Sequence, residues 1–264
     1  MDFLLDLNWL AIGQIILIDI LLGGDNAIVI AMACRNLPPD LRTRGMLWGT
    51  VGAIVARVVL IGFAVNLLNL RYIKLVGGVV LFWIGVKLLA SDDAAHPEIA
   101  GKDRLLAAIR TVIAADLVMS IDNVIAVAAT AQMAGGQYQL ALVVFGILIS
   151  IPMIVWGSAM ILKLMQHLPW IVDGGAALLG YVAGQMIFSD VALRPWLHAQ
   201  LPQHQYAVPG SDLSVSVPGL IVAAAVLIVG RIIRKKGIKD GAEISASPIY
   251  SSDFALLSQL NKRD

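Results

Sequence analysis

The sequence has few charged residues and a single cysteine. Of its 264 residues, 14% are Asp, Glu, Lys or Arg, whereas 59% are hydrophobic. Because a soluble domain has roughly a quarter of charged residues, this composition excludes an ordinary soluble protein and predicts an integral membrane protein. The lone Cys34 excludes an intramolecular disulfide and a cysteine-based metal cluster. The net charge of +1 gives no information about partners, and we expect no nucleic acid among them.

Two further absences bear on the class of membrane protein. The N-terminal segment MDFLLDLNWL carries no basic residue, which is atypical of a secretory signal peptide. No Walker motif is present, so we expect no ATP-driven pumping by this chain alone. We also expect no enzymatic activity.

The apolar segments are long enough for seven transmembrane helices. A span needs roughly 20 apolar residues, and the fold class predicted is therefore all-α. The predicted helices cover residues 9–34, 45–68, 72–90, 105–132, 138–164, 170–189 and 217–233.

The first helix contains a polar motif that the chain repeats. IDILLGGDNAIVIA at residues 18–31 is followed 97 residues later by ADLVMSIDNVIAVA at residues 115–128. The pairs aligned by this offset are Asp19 with Asp116, Asp25 with Asp122, and Asn26 with Asn123. An offset of 98 aligns the third helix with the sixth, so that Gly77 falls on Gly175.

These alignments predict two copies of a three-helix unit. Since three is odd, the second copy must enter the membrane in the opposite direction, which gives the inverted repeat found in many secondary transporters. The predicted units are repeat 1 at 8–92, a linker with repeat 2 at 93–190, an extracytoplasmic loop at 191–216, helix 7 at 217–233, and a cytoplasmic polar tail at 234–264.

Lys and Arg are distributed unequally between alternate loops. The positive-inside rule places the richer loops in the cytoplasm and predicts an outside N-terminus and a cytoplasmic C-terminus. The richer side carries Arg35, Arg42, Arg44, Lys102, Arg104, Lys163, Arg231, Arg234, Lys235, Lys236 and Lys239, against Arg71, Lys74 and Arg194 on the other side.

The repeated polar residues are candidate cation ligands near the middle of the membrane. A carboxylate at the centre of a membrane helix costs at least about 2.5–3.5 kcal/mol, so the doubled motif points to function. Carboxylate and amide oxygens suit Mg²⁺, Ca²⁺ or Mn²⁺ better than Zn²⁺ or Cu⁺. The candidate metal ligands are Asp19, Asp25, Asn26, Asp116, Asp122 and Asn123.

Regular helical geometry separates Asp19 from Asp25 by about 9 Å along the axis. A helix break at Gly23 and Gly24 would change that, because paired glycines are common at kinks, and it would expose backbone carbonyls as further ligands. The second copy has Ser120 at this position, where a break is less strongly indicated.

Arg57, in the second predicted helix, is a candidate counter-ion for one buried aspartate. Asp19 and Asp116 could equally be structural partners of such an arginine, or form a proton relay.

Other classes of membrane protein fit less well. An intramembrane aspartyl protease would use Asp25 and Asp122 as a dyad, but no Pro-Ala-Leu segment is present. A seven-helix photoreceptor needs a lysine in its last helix, and residues 217–230 contain none.

The GGDN and SIDN motifs, each on the first helix of a three-helix repeat, resemble the TerC family and within it the compact bacterial branch. The resemblance covers residues 8–235 and extends to the LysE-type exporters, to which that family belongs. It implies Mn²⁺ efflux across the bacterial inner membrane, with Mn²⁺ and protons as substrates and the lipid bilayer as surroundings. The alternative is a non-transporting membrane component of a tellurite, metal-stress or enzyme-metallation complex. The sequence leaves the oligomeric state open.

Overall fold

The computed structural model of the chain describes residues 24–62, 71–91, 101–134, 139–193, 205–207 and 214–245. Within these ranges the side chains of residues 61–62, 122–134, 139–150, 205–207, 214 and 237–245 are not described. The described part of the chain forms seven helices and one two-stranded sheet. The helices are α1 Gly24–Cys34, α2 Pro39–Gly62, α3 Ile73–Ala90, α4 Gly101–Ala134, α5 Gln139–His167, α6 Trp170–Ser189 and α7 Val217–Ser245.

The sheet lies in the predicted loop at residues 191–216. Strand β1, Gln205–Ala207, pairs antiparallel with β2, Ser214–Ser216, so that Tyr206 lies opposite Val215. The sequence predicted no strand here.

Four of the described helices are long and apolar enough to cross a bilayer, in the segments Pro39–Leu60, Ile73–Ala90, Trp170–Ser189 and Val217–Lys236. Many of their large apolar side chains point outward, among them Val55, Trp83 and Ile228. In water such a surface would be unusual for a single chain, but in a bilayer these side chains contact lipid. The protein is therefore a multi-pass membrane protein, and seven spans stay a prediction.

Two helix ends differ from the predicted ones. Pro38 and Pro39 were predicted to lie in a loop, yet α2 begins at Pro39, because proline suits the first helical position and the carbonyl of Pro38 accepts the N–H groups of Leu41 and Arg42. The tail predicted to start at residue 234 continues α7 to Ser245. An established helix extends readily through residues such as Lys, Ala and Glu.

Four helix pairs make most of the contacts between the described helices. Helix α3 packs chiefly on α6, α2 on α4, and α7 on both α6 and α3. The N-terminus of α7 is capped by Ser216, whose Oγ accepts the N–H of Gly219 at 3.3 Å. Main chains approach closely beside it, since a Cβ atom placed on Gly184 would lie 2.7 Å from the carbonyl oxygen of Pro218.

Asp190 is buried and caps α3. Its carboxylate accepts the N–H groups of Lys74 and Leu75, each at 3.1 Å, and that of Ala192 at 2.9 Å. The residue before α3, Tyr72, has φ of 68° and supplies no side-chain cap. The cap therefore comes from the end of α6, which ties α3 and α6 together at this end of the bundle.

Candidate cation site

The first turn of α1 carries the Asp25–Asn26 pair. Asn26 is only 4% exposed, and neither its amide nitrogen nor its amide oxygen has a hydrogen-bond partner in the part of the chain that the structure describes. Buried side-chain amides are nearly always hydrogen-bonded, so this side chain presents an unusual unsatisfied oxygen and nitrogen inside the bundle.

Asp25 is half-buried beside it. Its Oδ1 accepts the backbone N–H of Asn26 at 2.8 Å. The carboxylate also interacts electrostatically with Asp116, which repels it, and with Arg57, which attracts it. The polar groups of α1, α2 and α4 therefore share one region of the bundle.

A buried cluster of three side chains joins α2 to α4. Arg57 Nη2 donates to Asp116 Oδ1 at 2.6 Å, and Arg57 Nε donates to Ser120 Oγ at 3.0 Å. Ser120 Oγ in turn donates to Asp116 Oδ2 at 3.1 Å. All three residues are buried, with exposed fractions of 3%, 6% and 0% in the order Arg57, Asp116, Ser120. Both oxygens of Asp116 thus already accept hydrogen bonds.

Helix geometry explains how the cluster forms. Asp116 and Ser120 are four residues apart and so lie on the same face of α4. Small residues let α2 approach that face, since a Cβ atom on Gly49 would lie 3.1 Å from Val112 Cγ1, and one on Gly52 would lie 2.5 Å from Ile113 Cδ1. Arg57 lies further along α2, at the level of Asp116 on α4.

The candidate residues divide into three groups. Asn26, Asp25 and the cluster of Arg57, Asp116 and Ser120 are described with their side chains. Asp122 and Asn123 lie on α4, about two turns beyond Asp116, but their side chains are outside the described residues. Asp19 and Gly23 lie wholly outside them, and Gly24 is the exposed first described residue of α1.

The structure has no helix break at Ser120. Helix α4 continues from Gly101 to Ala134, and the hydroxyl of Ser120 is engaged by Arg57 and Asp116. Serine costs an α-helix less than glycine does, and its bond to the preceding turn supports the helical backbone. Ser120 corresponds to Gly23 of the first copy, which lies outside the described residues, so a break there stays a prediction.

Sequence reasoning missed the bridging role of Ser120. The spacing Asp116-x-x-x-Ser120 could have indicated it, because these positions face each other on a helix. Nothing in the sequence identifies Asp116 as the partner of Arg57, since the two residues are 59 positions apart.

The described residues hold no cluster of three or more His, Cys, Asp or Glu side chains that could enclose a metal ion. What they offer is one carboxylate, on Asp25, beside one unsatisfied amide, on Asn26. Such a pair supplies oxygen ligands of the kind that hard divalent cations prefer, and a complete coordination shell would need further ligands.

Comparison with known proteins identifies the family. The model of the family described as "Integral membrane protein TerC family" matches residues 5–237. The membrane protein YjbE of Bacillus subtilis is 42% identical over 177 residues, covering 67% of this chain and 78% of its own length. YceF of the same organism is 26% identical over 188 residues, covering 68% and 71% respectively. The inner membrane protein YgdQ of Escherichia coli is 29% identical over 140 residues, covering 44% of this chain and 56% of its own length.

No solved structure matches the chain. The family model covers nearly all of the sequence, from ahead of α1 into α7, and so includes both copies of the Asp-Asn motif. The chain belongs to the TerC family of integral membrane proteins.

Proposed function

We propose that this protein exports a divalent metal cation, Mn²⁺ in the first place, from the cytoplasm by proton-coupled alternating access. The family is associated with metal ion transport. The observation that carries the proposal is the side chain of Asn26, which is buried beside Asp25 and whose two amide atoms have no hydrogen-bond partner among the described residues.

A buried unpartnered amide is costly. Leaving such a donor or acceptor unsatisfied costs about 1–3 kcal/mol. The hydrocarbon region of the bilayer contains no water that could form the missing hydrogen bonds. A cation bound by the amide oxygen of Asn26 and the carboxylate of Asp25 would satisfy the oxygen and neutralise the charge together. Binding of the transported ion would thus remove much of this free-energy cost.

The packing of α3 on α6 supports an inverted repeat. A Cβ atom on Gly78 would lie 2.7 Å from the carbonyl oxygen of Ala183, and one on Gly85 would lie 3.6 Å from that of Ala176. At the offset of 98, Gly78 corresponds to Ala176 and Gly85 to Ala183, so the two contacts exchange with each other. As the residue number of the contacting position increases along α3, that of its partner decreases along α6. The two helices therefore run in opposite directions.

Other helix pairs follow the same exchange. Helix α2 of the first copy packs on α4, the first helix of the second copy. The reciprocal pair is α1 with α5, and a Cβ atom on Gly157 would lie 4.0 Å from Ala27 Cβ. This pattern favours a two-fold axis that relates Asp25 and Asn26 to Asp122 and Asn123. We propose that these four residues form one cation site at the interface of the repeats.

We propose that a helix break precedes the Asp25–Asn26 pair. Paired glycines are common at helix kinks, and Asn26 N–H donates to the neighbouring Asp25 carboxylate at 2.8 Å. Residues 1–23 lie outside the described residues. A half-helix that begins at Gly23–Gly24 would also direct free carbonyls of the preceding turn toward the cation.

The Arg57–Asp116 pair gives the site its charge balance. Arg57 neutralises Asp116, so the carboxylates left to balance a divalent cation would be those of Asp25 and Asp122. We therefore place Asp116 beside the cation site as a structural partner of Arg57. Asp19, its counterpart in the first copy, keeps the role of an additional ligand or proton relay as a hypothesis.

Proton coupling follows from competition. A protonated carboxyl group is a poor metal ligand, so a metal ion and protons exclude each other from Asp25 and Asp122. Release of the metal outside would then be paired with return of protons. The predicted orientation, with a cytoplasmic C-terminus in a bacterial inner membrane, is supported by the meeting of Arg35, Arg42 and Arg234 at one end of the bundle.

A flux assay tests the proposal. The full chain in proteoliposomes is given an imposed pH gradient, and Mn²⁺ movement is followed with an enclosed metal-sensitive dye. We expect Mn²⁺ flux against a proton flux, lost in Asp25→Asn and in Asp122→Asn. Asp173→Asn, at a half-buried position on α6 where the aspartate pairs with Arg231, is the control and should transport normally.

Two results would contradict the proposal. Transport retained in both site variants would refute the site, and a correctly inserted wild-type chain that moves no metal under any gradient would favour the non-transporting alternative.

A further inference from the structure

A cavity of about 230 Å³ opens at the end of the bundle where the basic loops meet. Three arginines from separate parts of the chain line it: Arg35 after α1, Arg42 in the second turn of α2, and Arg234 in α7. The described residues that line it include no acidic side chain. The cavity therefore brings three guanidinium groups together at one end of the bundle.

Two of these arginines are held in place by main-chain carbonyls. Arg35 Nη2 donates to the carbonyl oxygens of Leu88 and Ser91, at 3.1 and 2.5 Å, at the C-terminus of α3. Arg42 Nε donates to the carbonyl oxygen of Leu37 at 2.9 Å. This bond uses only one edge of the guanidinium of Arg42, and its two Nη groups have no hydrogen-bond partner among the described residues. A guanidinium held in this way presents a fork that matches two oxygens of a phosphate.

The opposite wall of the cavity is apolar. Leu162 and Met165 of α5 and Val172 of α6 line it. Trp170, 66% exposed, begins α6 beside this wall, and exposed tryptophans at helix ends are typical of the membrane interface. A ligand that suits both walls carries a phosphate and a hydrocarbon chain, which favours a phospholipid over a free anion.

We propose that this cavity binds the phosphodiester headgroup of an anionic phospholipid from the cytoplasmic leaflet, with an acyl chain running along Leu162 and Met165. Basic pockets between membrane helices on the cytoplasmic side commonly bind such headgroups. The lipid would bridge α2 and α7, which are remote from each other in the chain, and so fasten the loop after α1 to the end of the bundle.

Lipid titration of the full chain tests this proposal. The protein is purified in an uncharged detergent, stripped of lipid, and titrated with phosphatidylglycerol or with phosphatidylcholine of the same acyl chains. Native mass spectrometry counts the bound lipids. Both lipids carry the phosphodiester, but phosphatidylcholine also carries a choline cation, which the three arginines would repel. We expect phosphatidylglycerol, which has no such cation, to bind about tenfold more tightly.

Matched variants separate this cavity from general surface charge. Arg42→Gln should weaken phosphatidylglycerol binding about tenfold. Arg44→Gln removes the same charge two residues along, at an exposed position that does not line the cavity, and should have little effect. A second pair, Arg234→Gln against Lys236→Gln, repeats the comparison on exposed positions of α7, where misfolding is not expected.

Three outcomes would overturn the proposal. In the first, Arg42→Gln and Arg44→Gln weaken phosphatidylglycerol binding equally, and Arg234→Gln and Lys236→Gln also weaken it equally. Another is equal affinity of the wild-type chain for the two lipids. The third is displacement of phosphatidylglycerol by millimolar glycerol phosphate or inorganic phosphate, which would assign the cavity to a soluble anion.

Discussion

Arg57 and Asp116 form an ion pair of 2.6 Å in the interior of the bundle, with side chains that are 4% and 7% exposed. Arg57 lies on α2 and Asp116 on α4, so the pair joins the first half of the chain to the second. Breaking a buried pair by removing one partner leaves an uncompensated charge and costs about 3–5 kcal/mol.

We therefore expect Arg57→Gln and Asp116→Asn each to lower the free energy of unfolding by about 3–5 kcal/mol. The double variant leaves no charge unpaired and should be more stable than the sum of the two losses predicts. Unfolding in detergent, followed by circular dichroism, measures all three variants. Additive losses would mean that the pair is not energetically coupled.

Asn26 should behave differently, because the described part of the chain supplies its amide with no hydrogen-bond partner that a substitution would remove. We expect Asn26→Leu to leave the metal-free protein as stable as the wild type or up to about 2 kcal/mol more stable. The same variant should lose its stabilisation by Mn²⁺. Thr50→Val is the matched control, since Thr50 is also buried but its Oγ1 donates to the carbonyl oxygen of Met46 at 2.8 Å. A destabilised, metal-free Asn26→Leu would show that the amide has a protein partner.

Mn²⁺ should stabilise the protein in a pH-dependent manner. A ligand present at 100 times its Kd stabilises the folded state by about 2.7 kcal/mol. Since protons compete with the metal for Asp25 and Asp122, this stabilisation should decrease as the pH falls and increase as it rises. Thermal unfolding at a fixed Mn²⁺ concentration across a pH series measures it, and chelation by EDTA should abolish it. A Mn²⁺ effect that grows toward low pH would contradict the competition.

The two aspartates at the ends of α6 should differ in their contribution to stability. Asp190 is buried and caps α3, so Asp190→Ala should lower the free energy of unfolding by about 1–2 kcal/mol. Asp173 pairs with Arg231 at 2.7 Å on the surface, where such pairs are worth about 0–1 kcal/mol. Asp173→Ala should therefore change stability little. Similar losses in the two variants, measured by thermal unfolding, would exclude capping as the reason for burying Asp190.

The close contact of α3 with α6 can be tested at a glycine. Gly78→Ala would place a methyl group 2.7 Å from the carbonyl oxygen of Ala183, and overpacking of this kind costs about 1–3 kcal/mol. Gly174→Ala is the control, because a Cβ atom there would meet no atom within 4 Å, and it should be neutral or slightly stabilising. Equal unfolding temperatures for the two variants would mean that α3 and α6 can separate without loss.

The sequence predicts the helical segments well because long apolar stretches leave few alternatives in a membrane. It predicts their ends less well, as Pro39 and the tail beyond residue 233 show. Proline fits either a loop or a first helical turn, and the choice depends on whether the next turn has something to pack against. The extension of α7 to Ser245 depends similarly on a helix that already exists rather than on the composition of the tail.

The site residues likewise include some that the sequence identifies and some that it does not. The duplicated Asp-Asn motif is visible because the copies share a sequence, and it directs attention to Asn26. The pairing of Arg57 with Asp116 and the burial of Asp190 depend on how α2 meets α4 and how α6 ends beside α3. Contacts between such distant segments are set by helix packing, for which one sequence contains no direct signal.

The tight backbone contacts among α3, α6 and α7 have a consequence for motion. A Cβ atom on Gly180 would lie 2.7 Å from Ala223 Cα, and one on Gly184 would lie 2.7 Å from the carbonyl oxygen of Pro218, so α6 and α7 meet there through main-chain atoms, which cannot change rotamer. Sliding of these helices past each other would bring main-chain atoms into overlap. In the proposed transport cycle, we expect α3, α6 and α7 to form a stationary frame against which α1, α2, α4 and α5 tilt.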